Sequence, residues 1–408
     1  PTARRVSSIA SRLPGTNRLG FQPSLALSDR MEQILIIGSG LAGYTLAREI
    51  RGIDTHIPLT LITADGGDFY SKPMLSTALS DGKTPADLVN TPPQGMRERL
   101  DMTLLTRQRV TAVLPGEKQV ITQQGAQHYS KLVLALGALP IVPPMRGDAV
   151  DERLVINNLD DYTRFREQLP GAPAHIALIG PGLIGCEFAN DLLRSGYPVS
   201  LIGPDPYPIS SLLPQSTAEA LQQAMQAAGA EWHLRQTAAI MDRNGSGYRL
   251  TLTDAQEIDC DLVLSAVGLR PDTTLATEAG LPVNRGIITD RFLQTGNPHI
   301  YALGDCAEVD GRNRPYVMPI MHSARALAKT LTGQPTEVVY PAMPVIIKTP
   351  LHPVVVLPPE PGTSGDWDSE IDAQGTLCRF ISDDGHLKGF ALSGDRVDQK
   401  QALLRSLS

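Results

Sequence analysis

Ile34-Leu-Ile-Ile-Gly-Ser-Gly-Leu-Ala-Gly43 decides how the rest of the chain is read. Four apolar residues of strand character run into glycines spaced Gly-x-Gly-x-x-Gly, and a helical pattern, Leu41 to Arg51, follows at once. In that context each glycine has a steric reason. Gly38 permits the tight turn, Gly40 lets a phosphate approach the main chain, and Gly43 lets the helix pack closely on the strand. Ser39, Leu41 and Ala42 complete the turn, and the helix start offers N–H groups and a positive dipole end to a pyrophosphate.

The same logic recurs at Ile176-Ala-Leu-Ile-Gly-Pro-Gly-Leu-Ile-Gly185, with Gly180, Gly182 and Gly185 in the three roles. After the first motif a strand, Leu59 to Thr63, ends at Ala64-Asp65, where an acid meets adenosine ribose hydroxyls in such folds. After the second, the strand Val199 to Ile202 ends in Gly203-Pro204, with Asp205 slightly beyond and no Arg or Lys placed there for a 2′-phosphate. That leans toward NADH over NADPH. Two dinucleotide sites in one chain are the arrangement of flavoenzymes that pass hydride between a nicotinamide and a flavin, so the expected cofactors are FAD and NAD(H).

Composition is consistent with this. The 408 residues carry 36 Lys+Arg against 43 Asp+Glu and a net charge of -7, which argues against a nucleic-acid footprint. No apolar run approaches the roughly 18 residues of a membrane helix, so a soluble, cytoplasmic protein is expected. Strand runs alternating with helical patterns from Met31 onward predict parallel α/β sheets. Residues 1–30 differ: five Arg, five Ser and one acid, Asp29, without apolar periodicity, read as a disordered extension. The chain turns Pro-rich from about Pro335, which marks a third, smaller unit of short strands and a final helix, Asp398 to Leu407. Cys186, Cys260, Cys306 and Cys378 lie far apart, with no metal spacing and no CxxC pair.

Three further segments carry a family resemblance. Leu132-Val-Leu-Ala-Leu-Gly-Ala138, Leu262-Val-Leu-Ser-Ala-Val-Gly-Leu-Arg-Pro-Asp272 and Thr295-Gly-Asn-Pro-His-Ile-Tyr-Ala-Leu-Gly-Asp305 follow in the order found in the pyridine-nucleotide disulfide oxidoreductases. The resemblance implies two Rossmann-like three-layer domains of the glutathione-reductase type plus a small α+β C-terminal domain. Residues 31–145 and 269–334 would bind FAD, 146–268 would bind NAD, and 335–408 would form the third domain. With no redox Cys pair at Asp65 to Ser76 or in the NAD domain, electrons would leave directly from the flavin. In this the sequence resembles ferredoxin, putidaredoxin and, most closely, rubredoxin reductases, through Tyr70-Ser-Lys-Pro-Met-Leu-Ser76, Leu183 to Asp191, Ala266 to Pro271, Gly304 to Gly311 and Lys348-Thr-Pro350.

That resemblance implies the roles. Gly38 to Gly43 would hold the FAD pyrophosphate, Ala64 and Asp65 the adenosine, Val110 the adenine through its main chain, and Asp305 the ribityl hydroxyls. Lys72 and Lys348 would lie by the isoalloxazine, and Val317 would start a helix aimed at the flavin O2 side. Glu187 would sit by flavin N5 and the nicotinamide. One departure is Thr77, where several ferredoxin-reductase relatives have a Lys, so a Lys–Glu pair at the nicotinamide is not assumed. The implied reaction runs from NADH through FAD to rubredoxin, often in the supply of alkane hydroxylation. Alternatives are a reductase of ferredoxin or another acceptor, and a non-enzymatic flavin- and NAD-binding sensor. Rubredoxins are generally acidic, so Arg314, Arg325, Lys329 and Lys348 are the candidate docking cations. His322, His352 and Cys306 are read as structural.

Overall fold

The structure is a computed structural model that describes residues 33–407; the extension expected over residues 1–30 lies outside the described residues. The opening stretch forms β1 (Ile34–Ile37), wholly buried, and α1 (Leu41–Ile53). A strand with no polar position needs cover on both faces, which is why it sits mid-sheet. β2 (Leu59–Ile62), β3 (Thr103–Leu105), β4 (Lys131–Leu134) and β5 (Ile300–Ala302) join it in parallel, in the order β5-β4-β1-β2-β3. Between β3 and β4 the chain makes an antiparallel meander that begins at Val110–Leu114.

The second motif builds the same thing. Leu154–Val155, Ile176–Ile179, Val199–Gly203, Ala230–Leu234 and Leu262–Ser265 are β6 to β10, all parallel, in the order β6-β10-β7-β8-β9. α2 (Leu183–Arg194) follows β7, and α3 (Gln215–Ala227) connects β8 to β9. Here too an antiparallel meander precedes the fourth strand of the repeated unit. The copies differ at one edge: the first sheet is closed there by its last strand in sequence, the second by its first.

The chain crosses between the two sheets twice, and the crossings pair with each other as an antiparallel ribbon, Ala138–Pro140 against Leu269–Pro271. α4 (Val317–Leu331) then packs on α1. The remainder is an antiparallel sheet of β11 (Val345–Ile347), β12 (Val354–Leu357), β13 (Gly365–Asp372), β14 (Gly375–Ser382) and β15 (Leu387–Ser393), ordered β11-β12-β15-β14-β13. The expected final helix is shorter than its pattern: Gly394–Gln399 is a tight 3₁₀ turn, and only Lys400–Arg405 is α-helical. Buried apolar residues of β11, β12, β14 and β15 join the core of the second sheet and of α2 and α3. Among the described residues no helix is long and apolar enough to cross a membrane.

Candidate functional site

The first glycine-rich turn lies at the carboxyl end of β1, with Gly38 at φ +112°. A Cβ on Gly38 would sit 2.2 Å from the Ala135 carbonyl oxygen, and one on Gly43 would sit 1.9 Å from that of Gly38. Neither position admits a side chain. Gly40 differs. It caps α1 in extended backbone, and nothing lies within 4 Å of where its Cβ would be. Open space before the main-chain N–H groups of Leu41, Ala42 and Gly43 suits a pyrophosphate.

Asp65 is held beside that turn. Its Oδ1 accepts from Ser39 Oγ (2.9 Å), Thr63 Oγ1 (2.7 Å) and the Gly67 N–H (2.9 Å), while Oδ2 has no partner among the described residues. One oxygen fixes the rotamer and the other faces outward, the state expected of a carboxylate that takes ribose hydroxyls. Ala64 links Thr63 to Asp65 in the strand-end turn. Val110 starts its strand at a bulge. Two residues before it, Gln108 keeps Oε1 buried with no partner among the described residues while Nε2 donates to Gln124. An orphaned acceptor in this place fits an adenine amino group, and the sequence reading did not include it.

Lys72 and Asp305 lie within electrostatic reach of each other. Burial pulls the Lys72 ammonium below its ordinary range, opposed by Asp305 and Asp161, and burial pushes the Asp305 carboxyl up, opposed by Lys72. Lys72 Nζ donates to Asn157 Oδ1 (2.7 Å), and Asn157 Nδ2 donates in turn to the Ala138 carbonyl (3.0 Å). Asn157 therefore ties the lysine to the main chain at Ala138, a role that no motif announced. Gly304, at φ +80°, would place a Cβ 2.9 Å from Ala42 Cβ, so the turn bearing Asp305 is pressed against the start of α1. Val317 is the first residue of α4, and it and Met318 are exposed.

Glu187, in α2, is buried. Its Oε2 accepts from Ser76 Oγ (2.8 Å) and from Lys348 Nζ, and its Oε1 accepts from the Lys348 main-chain N–H (3.0 Å). The Lys–Glu pair that Thr77 put in doubt is present, with its lysine supplied from the C-terminal sheet. Sequence spacing has no means of showing this, because the partners are 161 residues apart. α2 repeats the device one turn on: Asn190 Oδ1 accepts from the Leu351 N–H, and Asp191 accepts from the N–H groups of Leu79 and Ser80.

The second glycine turn copies the first, with Gly180 at φ +109° against the Ala266 carbonyl, Gly185 against that of Gly180, and open space at Gly182. An apolar recess lies beside it, lined by Ile141, Ile184, Phe188, Ala266 and Gly268. Its apolar walls suit a nicotinamide ring. The donors and spaces of both turns fit two dinucleotides.

Three of the four docking candidates already have partners. Arg314 stacks on Tyr340 at 4.4 Å and donates to the Val309 carbonyl, Arg325 pairs with Glu49 (3.6 Å), and Lys348 is committed to Glu187. Arg325 and Lys329 are exposed one turn apart on α4. All four cysteines are buried and unpaired. Burial pushes the Cys260 and Cys306 thiols up to about 12, the opposite of what a thiol relay needs. His352 is half-buried with its titration pulled down by desolvation, which agrees with a packing role.

Residues 32–328 match the pyridine nucleotide-disulphide oxidoreductase family. The chain belongs to that family. Residues 337–407 match the rubredoxin binding C-terminal domain, which is the sheet that supplies Lys348. A rubredoxin-NAD(+) reductase of Alcanivorax borkumensis is 46% identical over 378 residues, 92% of this chain and 99% of the relative. One of Acinetobacter baylyi is 42% identical over 384 residues, 92% of this chain and 98% of that protein. Among solved structures, a ferredoxin reductase of Rhodopseudomonas palustris superposes with a TM-score of 0.83 at 24% identity, covering 92% of this chain and 95% of its own. It shares the fold of this member of the family.

Proposed function

We propose that the protein is an FAD-dependent NADH:rubredoxin oxidoreductase, acting in the cytoplasm and supplying electrons, through rubredoxin, to alkane hydroxylation. The observation that carries this reading is the C-terminal sheet: it matches a rubredoxin-binding domain, and its Lys348 reaches the carboxylate of Glu187 on the helix that follows the second glycine turn. Residues 31–145 and 269–334 are the FAD domain, 146–268 the NAD domain and 335–408 the acceptor-binding domain.

Bound FAD supplies the chemistry, taking a hydride from NADH and giving up electrons one at a time. The chain supplies position and field. Gly40 and the start of α1 hold pyrophosphate, Asp65 holds ribose, and Asp305, whose carboxyl has no hydrogen-bond partner among the described residues, takes ribityl hydroxyls. Lys72, aimed by Asn157, places a positive charge beside the isoalloxazine. The first turn of α4 adds the positive end of a helix dipole, which favours negative charge on the ring. Glu187, fixed by Ser76 and Lys348, sets the nicotinamide face against the flavin, and Ile184 and Phe188 keep water from the reacting atoms.

Stopped-flow spectra of the purified yellow protein test the reading. NADH should bleach the flavin, and rubredoxin should restore the oxidised spectrum faster than ferredoxin or oxygen does. Recovery that is equally slow with every acceptor would leave a coenzyme-binding sensor, and faster recovery with ferredoxin would reassign the partner.

A further inference from the structure

Residues 70–83 belong to the flavin unit by chain and to the other unit by contact. Tyr70 Oη accepts from the Leu159 N–H (3.1 Å), Lys72 Nζ donates to Asn157, and Ser76 Oγ donates to Glu187. Arg194 donates to Ser80 Oγ (2.8 Å), and Arg166 donates to the Lys83 carbonyl (2.7 Å). Every one of these partners lies within residues 146–268. Leu75 and Ala78 are likewise buried in the core of the second sheet, not of the first.

The stretch is stiff. It starts as a 3₁₀ helix, Lys72–Ser76, and continues in closed turns: the Thr77 N–H donates to the Met74 carbonyl (3.2 Å), that of Gly82 to Leu79 (3.0 Å) and that of Lys83 to Ala78 (2.9 Å). It advances in step with α2, since Ser76 meets Glu187 and, four residues on in both, Ser80 meets Asp191. Asp191 is buried, and its two oxygens take the N–H groups of Leu79 (3.0 Å) and Ser80 (2.8 Å). Burial pushes its carboxyl up, opposed by the hydrogen bonds from Ser80 and Leu79. Apolar packing is non-directional, whereas two main-chain N–H groups on one carboxylate fix the register of the stretch against α2.

We infer that Asp191 is a positioning residue for the flavin. By fixing Leu79 and Ser80 on α2 it sets where the stretch begins, at Lys72, and so where the positive charge beside the isoalloxazine stands. This rests on the placing of Lys72 by the flavin given above. A cation there favours negative charge on the ring. The flavin is thereby tuned from the unit that binds the electron donor, because α2 starts at the second glycine turn and carries Asp191 about two turns on.

The test is the midpoint potential of the flavin in the holoenzyme, measured by slow reduction against reference dyes. Lys72→Met should make the flavin harder to reduce, by about tenfold in the equilibrium, or about 30 mV for two electrons. Asp191→Ala should shift it the same way by about threefold, with FAD content and far-UV circular dichroism unchanged. The double variant should match Lys72→Met alone, since Asp191 acts only through the lysine. In the apoprotein, amide hydrogen exchange over residues 72–83 should quicken in Asp191→Ala. Should Asp191→Ala fail to retain FAD, Asp191→Asn, which keeps the volume and one acceptor, takes its place. An Asp191 variant at the wild-type potential, with Lys72→Met shifted, overturns the inference. So does a double variant that falls below Lys72→Met by the full Asp191 shift. If Lys72→Met leaves the potential in place, the placing of Lys72 itself fails and the inference falls with it, whatever Asp191→Ala does.

Discussion

Replacing Lys348 by Met removes the only cation that Glu187 touches among the described residues. The two side chains differ in exposure, 3% for Glu187 and 27% for Lys348, and that asymmetry sets the magnitudes. A carboxylate stranded in the interior costs about 3–5 kcal/mol. Glu187 retains Ser76 Oγ and the residue 348 N–H, which places Lys348→Met near the lower end, at about 3 kcal/mol. Glu187→Gln strands the lysine instead, but Lys348 can swing its ammonium into water, so that change should cost only about 0.5–1.5 kcal/mol, the order of an ordinary net hydrogen bond. In the double variant neither charge is buried alone, and most of the Lys348→Met loss should be recovered. Urea unfolding of the holoprotein, followed by flavin fluorescence and by far-UV circular dichroism, gives the four corners of the cycle, and the junction should release flavin in the first transition. Equal losses for Lys348→Met and the double variant, or a coupling energy below about 0.5 kcal/mol, the usual scatter for uncoupled sites, would refute the reasoning.

Other outcomes follow from the same geometry. Gly43→Ala and Gly185→Ala each force a Cβ to within 1.9 Å of a carbonyl oxygen; the first should purify without flavin, and the second should purify yellow but resist reduction by NADH, as absorbance spectra will show. Asp65→Asn weakens what Ser39 and Thr63 donate to, and should loosen FAD by about 1.5–3 kcal/mol in a reconstitution titration of the apoprotein. Asp305 has a folded-state pKa raised by burial, so it contributes stability below its unfolded value and loses that contribution as pH rises through the raised value. Asp305→Asn should therefore stabilise the apoprotein at neutral pH, with the advantage fading in acid, as urea midpoints at several pH values will record. Reduction of rubredoxin should slow as salt rises, because its acidic surface is steered by cations such as Arg325 and Lys329. A rate flat in ionic strength would remove electrostatic docking.

Much of the fold was legible because its signals are local. Ile34 to Gly43 and Ile176 to Gly185 each place strand, turn and helix within ten residues, and the steric need for Gly38, Gly43, Gly180 and Gly185 is met within the turn or on a neighbouring strand. Asp65 was equally legible, since it follows its strand directly. Contacts that join distant segments were not. Lys348 is 161 residues from Glu187, and Asn157 meets Lys72 only because the chain crosses between the sheets. The engagement of the docking cations was hidden for a related reason: charge along a sequence says nothing of whether a guanidinium is already stacked, as Arg314 is on Tyr340.

The ribbon of Ala138–Pro140 against Leu269–Pro271 means that everything between them enters and leaves through one narrow seam. The seam is narrow only along the backbone: the enclosed segment shares a core with the C-terminal sheet and holds Glu187 against Lys348. An exchange of electron donor in such a chain would therefore be felt at once by the sheet that carries the acceptor.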